Sequence, residues 1–411
     1  MTYPAVKGTR DFYPEYMAAR DELFQKLCDV ANSYGFNAVE SPALETLKLL
    51  TAKSGEEITQ QIFVTEKRSS EEIGLRFDMT VPLARMFIAK QKELPKPVKW
   101  SYATNMWRYE APQRGRLREF YQFGVELFGA STLTADAEII SLAIDCLQKL
   151  GLTEKDIVLK VNSRKLVEAF LKENNIDDTE KTLRAIDKRP KLSEDAFSAE
   201  ISFLTDYQQK ALLKFLDTPS LDALTLEDTT ALAELQELWN ILPKEKQPFI
   251  EFSPSITRGL AYYTGIVFEV FDRKGEFRAI LGGGRYDDMI EQFGGQSCPA
   301  TGFAMGDVVI ELVLKSKGLW KEEPSKVDYF IAPVNEEFIS KAVEIASYLR
   351  KKGKRVDIDL MNRKLGKQFS YATQINAQYV AIIGDETNEG NVAIKDLNTG
   401  KEETISINKL N

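Results

Sequence analysis

The sequence predicts an α+β protein: a large mixed domain on an antiparallel sheet, carrying a helical insertion and followed by a small α/β module. Three observations predict it. Alternating or aromatic-rich runs with long connections occupy residues 36 to 130, Leu, Asp, Glu and Lys at helical spacing fill 163 to 245, and apolar runs alternate with helix patterns from 327 onward. At 411 residues the chain is too long for one ordinary core, so two or three domains are expected.

Taken in order, Glu15 to Tyr34 reads as one amphipathic helix, because Tyr16, Leu23, Phe24, Leu27, Val30, Ala31 and Tyr34 recur at three and four and Gly35 stops it. Strands are predicted at Gly35 to Val39, Gln61 to Val64, Lys99 to Tyr109 and Arg118 to Glu126. A helix at Asp136 to Leu150 and a strand at Ile157 to Val161 lead into the insertion. Strands return at Pro248 to Ser253, Gly265 to Asp272 and Glu276 to Leu281, followed by glycine-rich turns and a helix from Asp307. Lys315 to Lys326 reads as a linker, so the domains are placed at 1–320 and 327–411. Beyond it come strand Val327 to Ala332, helix Glu336 to Lys352, strand Arg355 to Asp359, helix Lys364 to Asn376, strand Tyr379 to Gly384 and further strand, a pattern of parallel βα units.

Composition removes whole classes of chemistry. The chain has no histidine, which excludes Ser/His and Cys/His nucleophile systems, imidazole-ligated zinc and any histidine general base. Cys28, Cys146 and Cys298 are odd in number and far apart, so they are expected as buried thiols without disulfide or metal pattern. No stretch approaches the apolar run of a membrane helix, and MTYPAVKGTRDFYP lacks the basic-then-apolar pattern of a secretory signal, which predicts a cytoplasmic protein. A formal charge of −8 means that any nucleic-acid contact must use local basic patches.

The densest signal is RYEAPQRGRLREFYQFGVE at 108 to 126, where Arg108, Arg114, Arg116 and Arg118 alternate with Glu110, Glu119 and Glu126. Two strands joined around Pro112 to Leu117 would bring Arg108 and Arg116 to one phosphate ligand, since guanidinium binds phosphate bidentately and keeps its charge. Taken alone, such a string is more often a solvated hairpin surface than a site. Gly282 to Gly284 would let backbone approach a ligand, and alone they read as tight turns.

Together KGTRDFYP (7 to 14), LRFDMTVPLAR (75 to 85), the RYEAPQRGR string, RGLAYYTG (258 to 265) and GGGRYDDM (282 to 289) resemble the histidyl-tRNA synthetase family, in order and spacing, from Lys7 to the C-terminus. The resemblance implies a class II aminoacyl-tRNA synthetase catalytic domain: an antiparallel sheet flanked by helices, with Pro42 at a homodimer interface. It implies histidine activation by ATP with Mg2+, then transfer to tRNA(His). Arg108 and Arg258 would flank the α-phosphate as the catalytic pair, with Glu110 on the adenine amino group, Arg116 on the outer phosphates and Phe120 on the adenine ring. Asp78, Thr80 and Gln122 would hold the substrate ammonium, Glu126 and Tyr263 would read the imidazole, and Tyr262 would join the histidine-binding residues. The resemblance assigns no metal ligand on the protein. No catalytic histidine is needed, because the attacking group is the substrate carboxylate, already ionised at neutral pH.

Three positions depart from the family pattern. Ala261 stands where an acid is common, Tyr121 where histidine is often found, and Val309 where the third motif usually has arginine, leaving Arg278 or Arg285 as possible replacements for that charge. Residues 327 to 411 resemble the family's anticodon-binding domain, and Arg350, Lys351, Lys352, Lys354 and Arg355, with Arg363, Lys364 and Lys367, read either as the basic patch tRNA needs or, for 350 to 354, as the solvated cations that a helix C-terminus favours. Two rivals share the fold: the histidine-sensing regulatory subunit of ATP phosphoribosyltransferase, and an RNA-binding protein with an inactive synthetase domain.

Overall fold

Period-two alternation sorts the residues onto two faces of one large sheet. The computed structural model describes residues 3–52, 59–65, 71–258, 262–323 and 326–410. Its strands follow the chain as β1 (Asn37–Ala38), β2 (Leu44–Thr46), β3 (Ile73–Leu75), β4 (Val98–Trp107), β5 (Glu119–Phe128), β6 (Ile157–Ser163), β7 (Ile250–Phe252), β8 (Ile266–Asp272), β9 (Leu281–Arg285) and β10 (Ala300–Gly306). Among the described residues the large sheet runs β1-β4-β5-β10-β9-β8-β6-β7, antiparallel from β4 to β6 and parallel only at its two outer pairings. This is the antiparallel sheet that the alternating runs predict.

On one face lie Phe123, Val125, Leu127, Phe303, Met305, Leu281, Phe268 and Val270, all in a single core that also takes in Leu23 and Leu27 of helix Pro14–Ser33 and Ile139, Ile140 and Ala143 of helix Leu133–Lys149. The insertion between β6 and β7 is helical, as its spacing predicts: Arg164–Glu173, Thr179–Lys188, Glu194–Glu200, Asp206–Leu216 and Thr230–Ile241. Its Leu166, Phe170, Ile186, Phe215, Leu235 and Leu238 belong to the same core, so it is no separate bead. The opposite face of the sheet packs on helix Thr80–Lys90 through Met79, Leu83, Phe87, Tyr102, Met106 and Phe128.

Four expectations need correction. Gln61 to Val64 forms no strand; Val64 makes an isolated bridge to Gly74. Residues 276–280 are a loop, because the buried Asp272 carboxylate captures their backbone, accepting from Glu276 N at 2.9 Å and Phe277 N at 3.0 Å. The strand starts at Leu281 instead, and the three glycines read as turns lie within it, paired to β8 and β10 at the centre of the sheet. The expected linker is helical at its start, where helix Asp307–Ser316 ends, and Trp320 packs on the main core.

The chain divides into two units, Met1–Asp11 with Glu22–Lys321 and Phe12–Asp21 with Glu322–Asn411. The second contains β11 (Val327–Pro333), β12 (Val356–Ile358), β13 (Ala377–Ile383), β14 (Asn391–Asp396) and β15 (Glu402–Ser406), in the order β12-β11-β13-β14-β15. The first three pair in parallel, as βα units require, and the last two add antiparallel. Cys146 and Cys298 are buried, whereas Cys28 is half-buried.

Candidate active site

The even-numbered residues of β5, Phe120, Gln122, Gly124 and Glu126, point away from the main core. Their partners across β10 are Gly306 opposite Gln122, Ala304 opposite Gly124 and Gly302 opposite Glu126, and beyond these on β9 lie Gly282 and Gly284. A row of residues without large side chains therefore hollows this face, walled by Gln122 and Glu126 on one side and by Glu269 of β8 on the other. Two glycines are required by close approach. A Cβ on Gly302 would stand 2.3 Å from Glu126 Oε2, and one on Gly282 would stand 2.2 Å from Arg258 Nη1.

Arg108 ends the first arm of the β4–β5 hairpin and Arg258 follows a different part of the chain, yet both reach this hollow. Arg108 Nε donates to Phe77 O at 3.0 Å, and its guanidinium lies 5.1 Å from the Phe120 ring centroid. Burial presses that guanidinium below its ordinary value, with the like charge of Arg258 adding to the effect, while Asp78 and Tyr262 oppose it. Arg258 adopts a left-handed backbone, φ 55°, a strained state for a residue with a side chain. It ion-pairs with Glu269 and lies 5.6 Å from the Tyr263 ring centroid. Burial opposes its charge, but Tyr263, Glu269 and Tyr262 hold it above the ordinary arginine value. Asn162 on β6 fixes the approach to Arg258, its side-chain amide donating to Pro254 O at 3.1 Å and Ile256 O at 3.0 Å.

Glu126 is almost wholly buried. Its Oε1 accepts from Thr80 Oγ1 at 3.3 Å, and burial drives its carboxyl well above the ordinary range, against the Thr80 hydrogen bond and with help from Asp78. Asp78 is likewise raised by burial, opposed by Arg108 and by the backbone N–H groups of Val81 and Thr80. Tyr262 and Tyr263 lie 4.7 Å apart between ring centroids, tilted at 43°, each edge-on to Tyr286.

Several polar atoms here are buried with no hydrogen-bond partner among the described residues: Gln122 Oε1, Glu126 Oε2, Arg258 Nε and Tyr286 Oη. Buried polar atoms are almost always hydrogen-bonded, so such a set around one hollow marks a place that a polar ligand completes. The structure thus brings together Arg108, Asp78, Thr80, Phe120, Gln122, Glu126, Arg258, Tyr262 and Tyr263. Glu110 and Arg116 sit on the hairpin loop and pair with each other. The loop is padded by the N-terminal segment, whose Gly8 O accepts from Arg118 N at 2.8 Å, and Arg10 holds Asp307 at 2.6 Å. Ala261 lies outside the described residues.

Sequence reading missed Tyr102, Asn162, Glu269 and Tyr286 as site residues. Tyr286 lies inside the quoted GGGRYDDM string and was within reach; Tyr102, Asn162 and Glu269 look like ordinary strand residues. Of the two candidates for the charge missing at Val309, Arg285 is spent elsewhere: it holds buried Asp136 at 2.8 Å and Asp287 at 3.0 Å, and donates to Ala130 O at 3.0 Å.

The family model described as Histidyl-tRNA synthetase matches residues 8–307, and the one described as Anticodon binding domain matches 328–411. A histidine–tRNA ligase of Haloarcula marismortui is 38% identical, covering 98% of this chain and 96% of the relative. The chloroplastic/mitochondrial histidine–tRNA ligase of Arabidopsis thaliana is also 38% identical, over 98% of this chain and 85% of its own. Among solved structures, a histidyl-tRNA synthetase from a Nostoc species superposes with a TM-score of 0.82 at 24% identity, covering 99% of this chain and 97% of that one. An ATP phosphoribosyltransferase regulatory subunit/histidyl-tRNA synthetase from Bacillus halodurans gives 0.77 at 24% identity, over 93% and 98%. At that identity the structures speak for the fold. By name the two sequence relatives are aminoacyl-tRNA ligases. The chain belongs to the histidyl-tRNA synthetase family.

Proposed function

We propose that the protein is a histidine–tRNA ligase, which joins histidine to AMP at the expense of ATP and then passes it to the 3′ end of tRNA(His). The observation that carries this reading is the ring of unpartnered buried polar atoms, on Gln122, Glu126, Arg258 and Tyr286, around a hollow that also holds two guanidinium groups. In the first step a carboxylate oxygen of histidine attacks the α-phosphorus, a P–O bond forms, and the bond to the β-phosphate breaks to release pyrophosphate. Arg108 and Arg258 act as fixed positive charge where the transition state gathers negative charge. In the second step a tRNA hydroxyl attacks the adenylate carbonyl and AMP leaves.

In this reading Asp78, Thr80 and Gln122 bind the ammonium of histidine, and Glu126 with Tyr262 and Tyr263 reads the imidazole, whose donor and acceptor nitrogens need opposed partners. Phe120 and Glu110 take the adenine, Arg116 the outer phosphates once released from Glu110. Mg2+ carried on the nucleotide would neutralise part of the phosphate charge.

Residues 327–411 serve as the tRNA-anticodon module. Not all of the expected basic patch is available for it. Arg350 donates to Val356 O at 2.8 Å, Lys352 to Leu410 O at 2.7 Å, and Arg363 pairs with Asp359 at 2.7 Å. Lys351, Lys354, Arg355, Lys364 and Lys367 carry the attraction for phosphate. Cytoplasmic location goes with a role in translation, and among the described residues no helix is long and apolar enough to cross a membrane. Fractionation that finds the protein in an organelle overturns that location.

The test is amino-acid-dependent pyrophosphate exchange with each of the twenty amino acids, followed by tRNA charging. Exchange with histidine alone, then charging of tRNA(His), is expected; no exchange with histidine rejects the reading in favour of a histidine-sensing subunit.

A homodimer completes the proposal. Pro42 is exposed, and Leu44, Val64 and Tyr109, at 47%, 53% and 55% exposure, form an apolar surface around the small β2–β3 sheet, with Tyr109 edge-on to Phe63. Exposed apolar groups in one region mark an interaction surface. Sedimentation is expected to show a dimer that Leu44→Glu with Tyr109→Glu converts to monomer; a monomeric parent protein contradicts this.

A further inference from the structure

The cations at the mouth of the hollow are not equivalent. Two connections lie side by side there, the β4–β5 loop with Arg114 and Arg116 and the β8–β9 loop with Arg278. The Arg114 guanidinium sits 5.1 Å from the Phe277 ring centroid. A Cβ on Gly115 would find Val309 Cγ2 at 3.6 Å and Arg278 Cδ at 3.7 Å, so the Arg278 stem and Val309 flank the backbone next to Arg116.

Arg278 is held there by its loop. Buried Asp272 accepts from the backbone of Glu276 and Phe277, and Ile280 N donates to Val270 O at 2.7 Å, so both ends are anchored. The Arg278 side chain is exposed and makes no hydrogen bond or ion pair with any described residue. Its neighbours differ: Arg116 is engaged by Glu110 and Arg114 lies over Phe277. A guanidinium on an anchored loop, with no hydrogen-bond or ion-pair partner among the described residues and beside the loop that carries Arg116, is matched to a multiply charged anion.

We propose that Arg278 binds the outer phosphates of the nucleotide and supplies there the charge that Val309 does not. The proposal rests on the reading that this site takes ATP. It makes Arg278 a polyphosphate-specific contact: a nucleotide with only its α-phosphate does not reach it.

Calorimetric binding of ATP and of AMP, with Mg2+ present, to the full chain and to its Arg278→Gln and Arg278→Lys variants tests this. Arg278→Gln is expected to weaken ATP about tenfold, the worth of one charge-assisted contact, and to leave AMP unchanged, with Arg278→Lys in between. Unchanged ATP binding, or equal loss of ATP and AMP, overturns the proposal. If the parent chain binds neither nucleotide, the ATP reading fails and the proposal with it. If ATP and AMP respond as expected but histidine supports no pyrophosphate exchange, the phosphate contact stands and only the histidine reading falls.

Discussion

Arg258→Gln is expected to lower the rate constant of histidine-dependent pyrophosphate exchange by about 10^2–10^3, the usual loss when one preorganised transition-state donor is removed, with little change in the KM for histidine. The geometry explains why so much rests on one side chain. The backbone is held left-handed, Asn162 clamps the carbonyls of Pro254 and Ile256 just before it, and Glu269 takes one face of the guanidinium over Gly282. Those supports fix the fork before substrate arrives, so its charge needs no reorganisation during reaction. Arg258→Lys is expected to recover little, because a point ammonium cannot keep the Glu269 bond and face a phosphate together. Rapid-quench measurement of adenylate formation is the direct check, and a loss smaller than tenfold in the Gln variant removes Arg258 from the catalytic pair.

The second large effect concerns Glu126. Replacing it with Gln is expected to make the unliganded protein more stable at neutral pH, by about 1 kcal/mol, while kcat/KM for histidine falls about 100-fold, as when a buried polar group loses its hydrogen-bond partner. The direction follows from the raised carboxyl. Its folded form holds a proton at pH values where the unfolded form has released it. Folding then takes up a proton, and stability falls as pH rises from the ordinary glutamate range through the raised folded value. Below that window the carboxyl is protonated in both states and the Gln variant has no such advantage. Denaturant midpoints across pH for both proteins measure this. A Gln variant less stable than its parent at neutral pH would show that the carboxylate is a structural anchor and not a group kept waiting for ligand.

Much of the candidate site's arrangement was legible because strand alternation and side-chain chemistry point the same way. Phe120, Gln122 and Glu126 sit at every second or fourth position of one run, so reading β5 correctly places all three on one face. Arg108 and Arg258 were found through motifs, and their convergence is a product of the sheet order, which sets β4 and β8 four strands apart on one surface. The illegible parts have physical causes. Three glycines carry no alternation signal and look like turns, although their missing side chains are what hollow the floor. The apolar run after Glu276 looks like strand, but one buried carboxylate at Asp272 takes the backbone donors that a ladder would need. Glu269 and Asn162 act through other groups, and nothing in their own neighbourhoods announces it.

The helices between β6 and β7 share their interior with the catalytic sheet, so this excursion of the chain is a buttress and not an ornament. Thr257 Oγ1 even donates to Leu183 O at 3.4 Å, one residue from the strained arginine. Trimming the excursion would strip greasy side chains from the rear of the sheet and loosen the segment that aims Arg258. Sequence drift along those helices therefore reaches turnover through rigidity, at a distance from any substrate atom.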